Sequence, residues 1–380
     1  MKNEKGASSS EFSMGNTAQE RGLPYVPDCY VVPPPCRPEN SESESESSTI
    51  PRIDVSRLMT DGEERRQVVE ELAMACRRLG FFQIVNHGIS QSILDEALSA
   101  AAGFFELPAK EKEKLMSNDV YNPVRYGTSL KDGLDKIQFW RIFLKHYAHP
   151  LDKYIHLWPG KPSGYREKMG KFCDQVRKLS VEIMGAITES LGLGRDYMSS
   201  HMGENGTQVT AVNCYPPCPQ PEMALGLPPH SDYSCITILL QSLAGLEILE
   251  PEAHGGARSG GPRRKIPTRA PPGVFSRWIA VPNVKGALQV HVGDHVEVLS
   301  NGLYKSVVHR ATLNRNTTRI SIASLHSLGM DEKMTVPDRL VNDQNPVRYR
   351  ESSFNDFLEF LAKNDLARGR RFIDTLRIKN

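Results

Sequence analysis

Long apolar runs, a dominant sign of charge and a pairable set of cysteines are all missing from this 380-residue chain. No segment approaches the roughly 20 consecutive apolar residues that a membrane-spanning helix needs. The stretch MKNEKGASSSEFSMGNTAQERG at the amino terminus lacks the apolar centre of a secretory signal. A formal charge of +2, from 47 basic and 45 acidic residues, supplies no field that would make nucleic acid or an anionic membrane a default partner. The seven cysteines are odd in number and scattered. Only Cys214 and Cys218 lie close together, and Pro216 and Pro217 separate them in a way unlike zinc-knuckle spacings. These absences lead to the expectation of a soluble, cytoplasmic monomer in a reducing compartment, with a small-molecule partner and neither nucleic acid nor membrane.

What is present falls into four regions. Residues 1–48 are expected to be a disordered segment, because RPENSESESESSTI and the first 22 residues bury too little apolar surface to offset their ordering entropy. Between those stretches, LPYVPDCYVVPPP has the prolines of an extended arm able to lie across a folded surface. Region 49–195 mixes strands and helices. IPRIDVSRL and FFQIVNHG read as strands; Val69, Leu72, Cys76 and Leu79 mark one helical face, and a second helix runs from Gln91 to Glu106. The longest periodic stretch runs from Ser163, an N-cap candidate, through Met169, Phe172, Val176, Leu179 and Ile183 to Gly192.

From 206 to 330 short β-branched runs alternate with Gly, Pro and Asn, the texture of a sandwich or jelly roll. The Asn-Gly pair in LSNGLYKS predicts a tight hairpin. Region 331–380 reads as two helices, around 351–366 and 367–378. The fold class is therefore a mainly β core with flanking helices (α+β). Residues 251–278, rich in Gly, Pro and basic residues, interrupt the β region as an atypical insertion, read as a floppy loop or as a retained intron.

The chemistry concentrates in LPPHSDYSCITILLQ. Taken alone, His230 and Asp232 behind two prolines are a polar turn. If they lie on a strand, however, residues i and i+2 point the same way and both can approach one cation. With His309 as a third ligand, two imidazoles and one carboxylate leave open positions of the kind used by non-haem iron(II) oxygenases. Zinc accepts the same donors. Arg319-x-Ser321 argues against a zinc hydrolase, because a guanidinium and a neighbouring hydroxyl on one strand face are suited to clamping a dicarboxylate.

These residues resemble the iron and cosubstrate motif of the plant 2-oxoglutarate- and iron(II)-dependent dioxygenases, and most closely flavanone 3-dioxygenase-like members. GFFQIVNHGI, NCYPPCPQPEMALGLPPHSD and VHVGDHVEVLSNGLYKSVVHRA occur in the family's order. The resemblance implies a double-stranded β-helix (jelly roll) with helices outside it. It also implies Fe(II) on His230, Asp232 and His309, 2-oxoglutarate held by Arg319 and Ser321 with help from Asn213 and Tyr215, dioxygen as co-reactant and ascorbate as a supporting reductant. The implied outcome is hydroxylation or desaturation of a small plant metabolite, with succinate and carbon dioxide released. A catalytically silent binding protein of the same fold, its site spoiled by the insertion, is the rival reading.

For the substrate, Tyr126, Phe139, Trp140, Tyr233 and Leu325 are candidates for an aromatic and apolar wall suited to a flat phenolic compound. Members resembling anthocyanidin synthase carry a basic residue two places before the Asn of Asn-x-Tyr-Pro; this chain has Ala211 there, which speaks against that activity. His291, Asp294 and His295 in HVGDHVEV are set aside, because a Gly293-Asp294 turn between two strands would send them in different directions.

Overall fold

The computed structural model describes residues 16–38, 50–128, 137–203, 205–250, 277–365 and 369–379. Twelve strands are present among them: β1 (Arg52–Asp54), β2 (Phe81–Val85), β3 (Val124–Thr128), β4 (Ile142–His149), β5 (Thr207–Tyr215), β6 (Leu227–His230), β7 (Ile236–Gln241), β8 (Leu246–Glu250), β9 (Arg277–Ala280), β10 (Leu288–Val292), β11 (His309–Ala311) and β12 (Arg319–Ser327). They form an eight-stranded sheet in the order β1-β2-β10-β7-β12-β5-β4-β3 and a four-stranded sheet in the order β6-β11-β8-β9. This is the jelly-roll core the sequence leads one to expect, with helices outside it.

Alternation of side chains along each strand gives the larger sheet two unlike faces. On its outer face Val212, Cys214, Ile320 and Ile322 join the main apolar core. The helices Gln91–Phe105 and Tyr165–Ser190 pack against it with Ala97, Phe104, Phe172, Val176 and Ile183. Between the two sheets a smaller cluster, including Phe81, Leu239, Leu246, Ile248, Ile279 and Val307, fills part of the interior.

The long helix begins at Tyr165 with Gly164, rather than Ser163, at its N-cap. HVEVL does not form a strand. Asp294–Leu299 is a helix whose six residues are all buried, so no polar stripe marks its period. Asn301 and Gly302 do take the positive φ values of 51° and 81° that an Asn-Gly pair favours, but here they terminate that helix. The amides of Asn301 and Gly302 donate to Val298 O and Glu297 O, which replaces the expected hairpin. The C-terminal helices are shorter than expected, at Phe354–Lys363 and Ile373–Leu376.

Residues 16–38, expected within a disordered segment, are packed. Tyr30 is 1% exposed and meets Trp140 edge-on at 5.4 Å. Val32 N donates to Met223 O at 2.9 Å, and Gln138 N donates to Cys29 O at 2.8 Å. Tyr30, Val26 and Val32 supply the buried apolar surface that holds this arm across the fold, as the extended reading of LPYVPDCYVVPPP allows. The remainder of 1–48 lies outside the described residues, as do residues 251–276 of the insertion. On either side of the insertion the pairing of β8 with β9 is regular up to Glu250 opposite Arg277, so these strands close as a hairpin whatever joins them.

Candidate metal centre

His230 and His309 are cross-strand partners at the end of the β6–β11 pair, and their ring centroids lie 4.2 Å apart. His230 Nδ1 lies 2.8 Å from Pro228 O and His309 Nδ1 lies 3.2 Å from Val307 O. Each carbonyl can accept only from a protonated Nδ1, so both rings are held with Nε2 bare and available as a donor to a cation. β6 stops at His230, so Asp232 arrives from the turn beyond it and not from strand alternation. That turn is fixed by Asp294 N donating to Asp232 O at 2.9 Å. Asp232 Oδ1 then lies 3.6 Å from each histidine Nε2. The three ligand atoms fall within 4.8 Å of one another, a group able to hold one metal ion.

The electrostatics suit a cation. Burial alone would raise the Asp232 carboxyl, but His309, His291 and His230 outweigh it and hold the acid well below the usual carboxylate range. Burial pulls His309 and His230 below their ordinary value, against the opposing attraction of the Asp232 carboxylate. His291, which the sequence reading set aside, faces this group: its Nδ1 lies 3.4 Å from Asp232 Oδ2 and its ring centroid 4.4 Å from that of His309. Pairing of His291 with Thr237 across β10 and β7 turns it inward, a register that sequence alone does not reveal.

Beside the metal group, one cross-strand row on the inner face of the larger sheet runs Gln241, Ser321, Asn213 and Phe143. The adjacent pair is Arg319 with Tyr215. Arg319 Nε donates to Leu243 O at 3.0 Å and Nη2 to Gln241 Oε1 at 2.8 Å, while its Nη1 is buried with no hydrogen-bond partner. Its guanidinium lies 5.0 Å from the Tyr215 ring centroid. Asn213 Nδ2 donates weakly to Ser321 Oγ at 3.5 Å. Gly245 has φ +140°, and a Cβ there would come within 2.8 Å of Arg319 Cδ, so only glycine lets the arginine pass.

Residues 206–327 match the 2OG-Fe(II) oxygenase superfamily, and residues 50–161 match the N-terminal region of the non-haem dioxygenase in morphine synthesis. The chain is 44% identical over 348 residues to 2-oxoglutarate-dependent dioxygenase 21, chloroplastic, from Oryza sativa subsp. japonica, covering 91% of this chain and 94% of the relative. It belongs to the 2OG-Fe(II) oxygenase superfamily. Flavanone 3-dioxygenase 3 of the same plant is 44% identical over 361 residues, covering 94% of this chain and 98% of that one. Among solved structures, JOX2 in complex with 2OG, Fe and JA superposes with a TM-score of 0.75 at 29% identity, covering 93% of this chain and 94% of JOX2. As a member of this superfamily the protein is an oxidoreductase that uses Fe(II) and 2-oxoglutarate. The residues present fit both: a compact anionic and imidazole group for the metal, and a buried arginine donor without a partner for a carboxylate.

The candidate substrate residues divide. Leu325 lies on the inner face in the same alternation as Arg319 and Ser321 and is half-buried. Tyr126, Phe139 and Trp140 are covered by the N-terminal arm: Tyr126 Oη donates to Glu20 at 2.9 Å, Phe139 packs with Val32, and Trp140 packs with Tyr30. Tyr233 is core, stacked on Phe357 at 4.7 Å with its hydroxyl donating to Ser353 O at 2.6 Å. These four side chains are taken up by packing and do not form a wall around the metal group. Inward-facing Phe143 and Arg141 were missed, although the period-two pattern Arg141, Phe143, Lys145 in RIFLKH carries the signal. A cavity of about 700 Å³ lined by Glu20, Phe105, Lys112, Cys214 and Ile320 lies on the outer face and does not include the metal group.

Proposed function

We propose that His230, Asp232 and His309 hold Fe(II), and that Arg319 and Ser321 bind the distal carboxylate of 2-oxoglutarate beside it, with Asn213 and Tyr215 completing the cosubstrate site. The bound Fe(II) and cosubstrate supply the oxygen-dependent oxidation, with succinate and carbon dioxide released. The chain's own part is to orient and shield. The two carbonyl-anchored imidazoles present Nε2 to the metal, and ionised Asp232 balances one positive charge. The partnerless Nη1 of Arg319 is the single observation that best supports the clamp. A buried guanidinium nitrogen left unpaired is costly, and a carboxylate removes that cost.

The substrate we infer is a small plant phenolic, flavanone-like or other, hydroxylated or desaturated. Its space lies over Ala211, Ala323 and Leu325, which face the interior from mid-sheet and are only half-buried. The protein acts as a monomer in the cytoplasm, the compartment being supported by seven cysteines that are odd in number and scattered along the chain. The regular β8–β9 pairing beside the insertion supports an intact site over a silent one. The test is succinate formation from 2-oxoglutarate by Fe(II)-loaded enzyme given a panel of phenolics. Wild-type protein converts 2-oxoglutarate in an iron-dependent way and His309→Ala does not; equal turnover by both ends the ligand assignment.

A further inference from the structure

Next to the row that carries Ser321 and Asn213, the following inner-face row reads Leu239, Ala323, Ala211, Lys145 and Arg125. Its centre is small and its far end is cationic. Phe143, in the preceding row, has the Arg125 guanidinium 4.9 Å from its ring centroid and that of Arg141 at 4.8 Å. Arg141 Nη1 donates to Asn213 Oδ1 at 3.2 Å, which joins this group to the cosubstrate end of the site. Lys145 Nζ donates to Val120 O at 2.8 Å.

No carboxylate forms a salt bridge with any of these three cations among the described residues, in contrast to Arg310, which pairs with Glu247 at 2.6 Å. The Nε atoms of Arg125 and Arg141 are buried without hydrogen-bond partners. Asp119 is the acidic group that acts on Arg125 and Lys145, and it is exposed, with Oδ1 committed to Tyr121 N. The known reactants do not balance this charge. Two positive charges on iron and one on Arg319 are matched by Asp232 and the two carboxylates of 2-oxoglutarate.

We propose that the substrate is itself an anion, an apolar or aromatic small molecule bearing a carboxylate, whose acid group is held by Arg125, Arg141 and Lys145 around Phe143 while its body lies over Ala211, Ala323 and Leu325. The reading rests on the iron and cosubstrate site proposed above and narrows its substrate class from phenols in general to aromatic acids. Guanidinium and ammonium groups half-buried beside an apolar ring bind a carboxylate by charge-assisted hydrogen bonds that an uncharged analogue cannot accept as strongly. Burial, with Arg125 beside it, pulls the Lys145 ammonium down to about 7, and an anion at this place relieves both effects.

The test uses matched pairs: hydroxybenzoic and hydroxycinnamic acids against their methyl esters. Each is titrated calorimetrically, under nitrogen, into enzyme loaded with Fe(II) and 2-oxoglutarate. The expected result is an acid that binds wild-type enzyme about tenfold or more tightly than its ester, the scale of one charge-assisted hydrogen bond. Arg125→Gln and Lys145→Gln should each erase most of that preference, and Arg125→Lys should retain part of it. Acid and ester bound alike, no acid bound at all, or a preference untouched by both glutamine variants would overturn the proposal and leave the three cations a structural stack on Phe143. Iron and 2-oxoglutarate binding by the wild type, read in the same samples, speaks separately to the underlying site: loss there refutes the iron and cosubstrate assignment, whereas loss of acid preference alone refutes only the substrate class.

Discussion

The two faces of β5 and β12 are built by the same strands from alternate residues, and they do opposite work. Outward, Val212, Cys214, Ile320 and Ile322 are buried against helices and hold the fold. Inward, Asn213, Tyr215, Arg319 and Ser321 are just as buried, with Arg319 and Ser321 each 2% exposed, yet all are polar or aromatic and aimed at a site. Alternation in a strand is usually read as core against solvent. Here both sides are interior, and the polar side carries the residues proposed to hold the cosubstrate.

That contrast can be broken at either face. The largest effect is expected inward, at the metal group: Asp232→Ala should take iron binding and succinate formation to the assay floor while the fold, read by circular dichroism, persists. Next, Arg319→Ala should raise the 2-oxoglutarate KM by about 10- to 100-fold, the value of a charged hydrogen bond, with a smaller change in kcat. Gly245→Ala should reproduce part of that rise, because the added Cβ displaces Arg319 Cδ. Outward, Ile322→Ala should cost about 2–5 kcal/mol of stability in denaturant unfolding and leave the 2-oxoglutarate KM of the folded enzyme unchanged.

The smallest effect comes from pH. His146 and His326 are buried on the outer face, and burial lowers each from 6.5 to about 3. The unfolded chain therefore takes up protons near 6.5 that the folded chain refuses, so stability is full above that value and is lost as pH falls toward 3. Between pH 7 and pH 6 each should cost about 0.7 kcal/mol, read as a lower Tm. An unchanged Tm would mean that the folded protein accommodates these protons.

Much of this was legible in the chain, and the reasons differ by element. That His230, Asp232 and His309 come together, and that Arg319 and Ser321 share a strand face, could be read from residue types and spacing. Asp232 reaches the group by a different route from strand alternation, since it sits past the end of β6 and a turn brings it in. Asp294–Leu299 was misread as a strand because a helix buried on all sides has no amphipathic period to betray it. Tyr126 and Trp140 read as a substrate wall because the extended arm is visible in LPYVPDCYVVPPP but the surface it lies on is not. His291 was dismissed for want of register, a property of strand pairing that one strand does not contain.

The most direct test of the central claim is a crystal structure of the protein with Mn(II), an unreactive stand-in for Fe(II), and 2-oxoglutarate. The account predicts one cation bridging His230, Asp232 and His309, with the cosubstrate's distal carboxylate on Arg319 Nη1 and Ser321 Oγ. A cation held by other side chains, or a distal carboxylate turned away from Arg319, would contradict it.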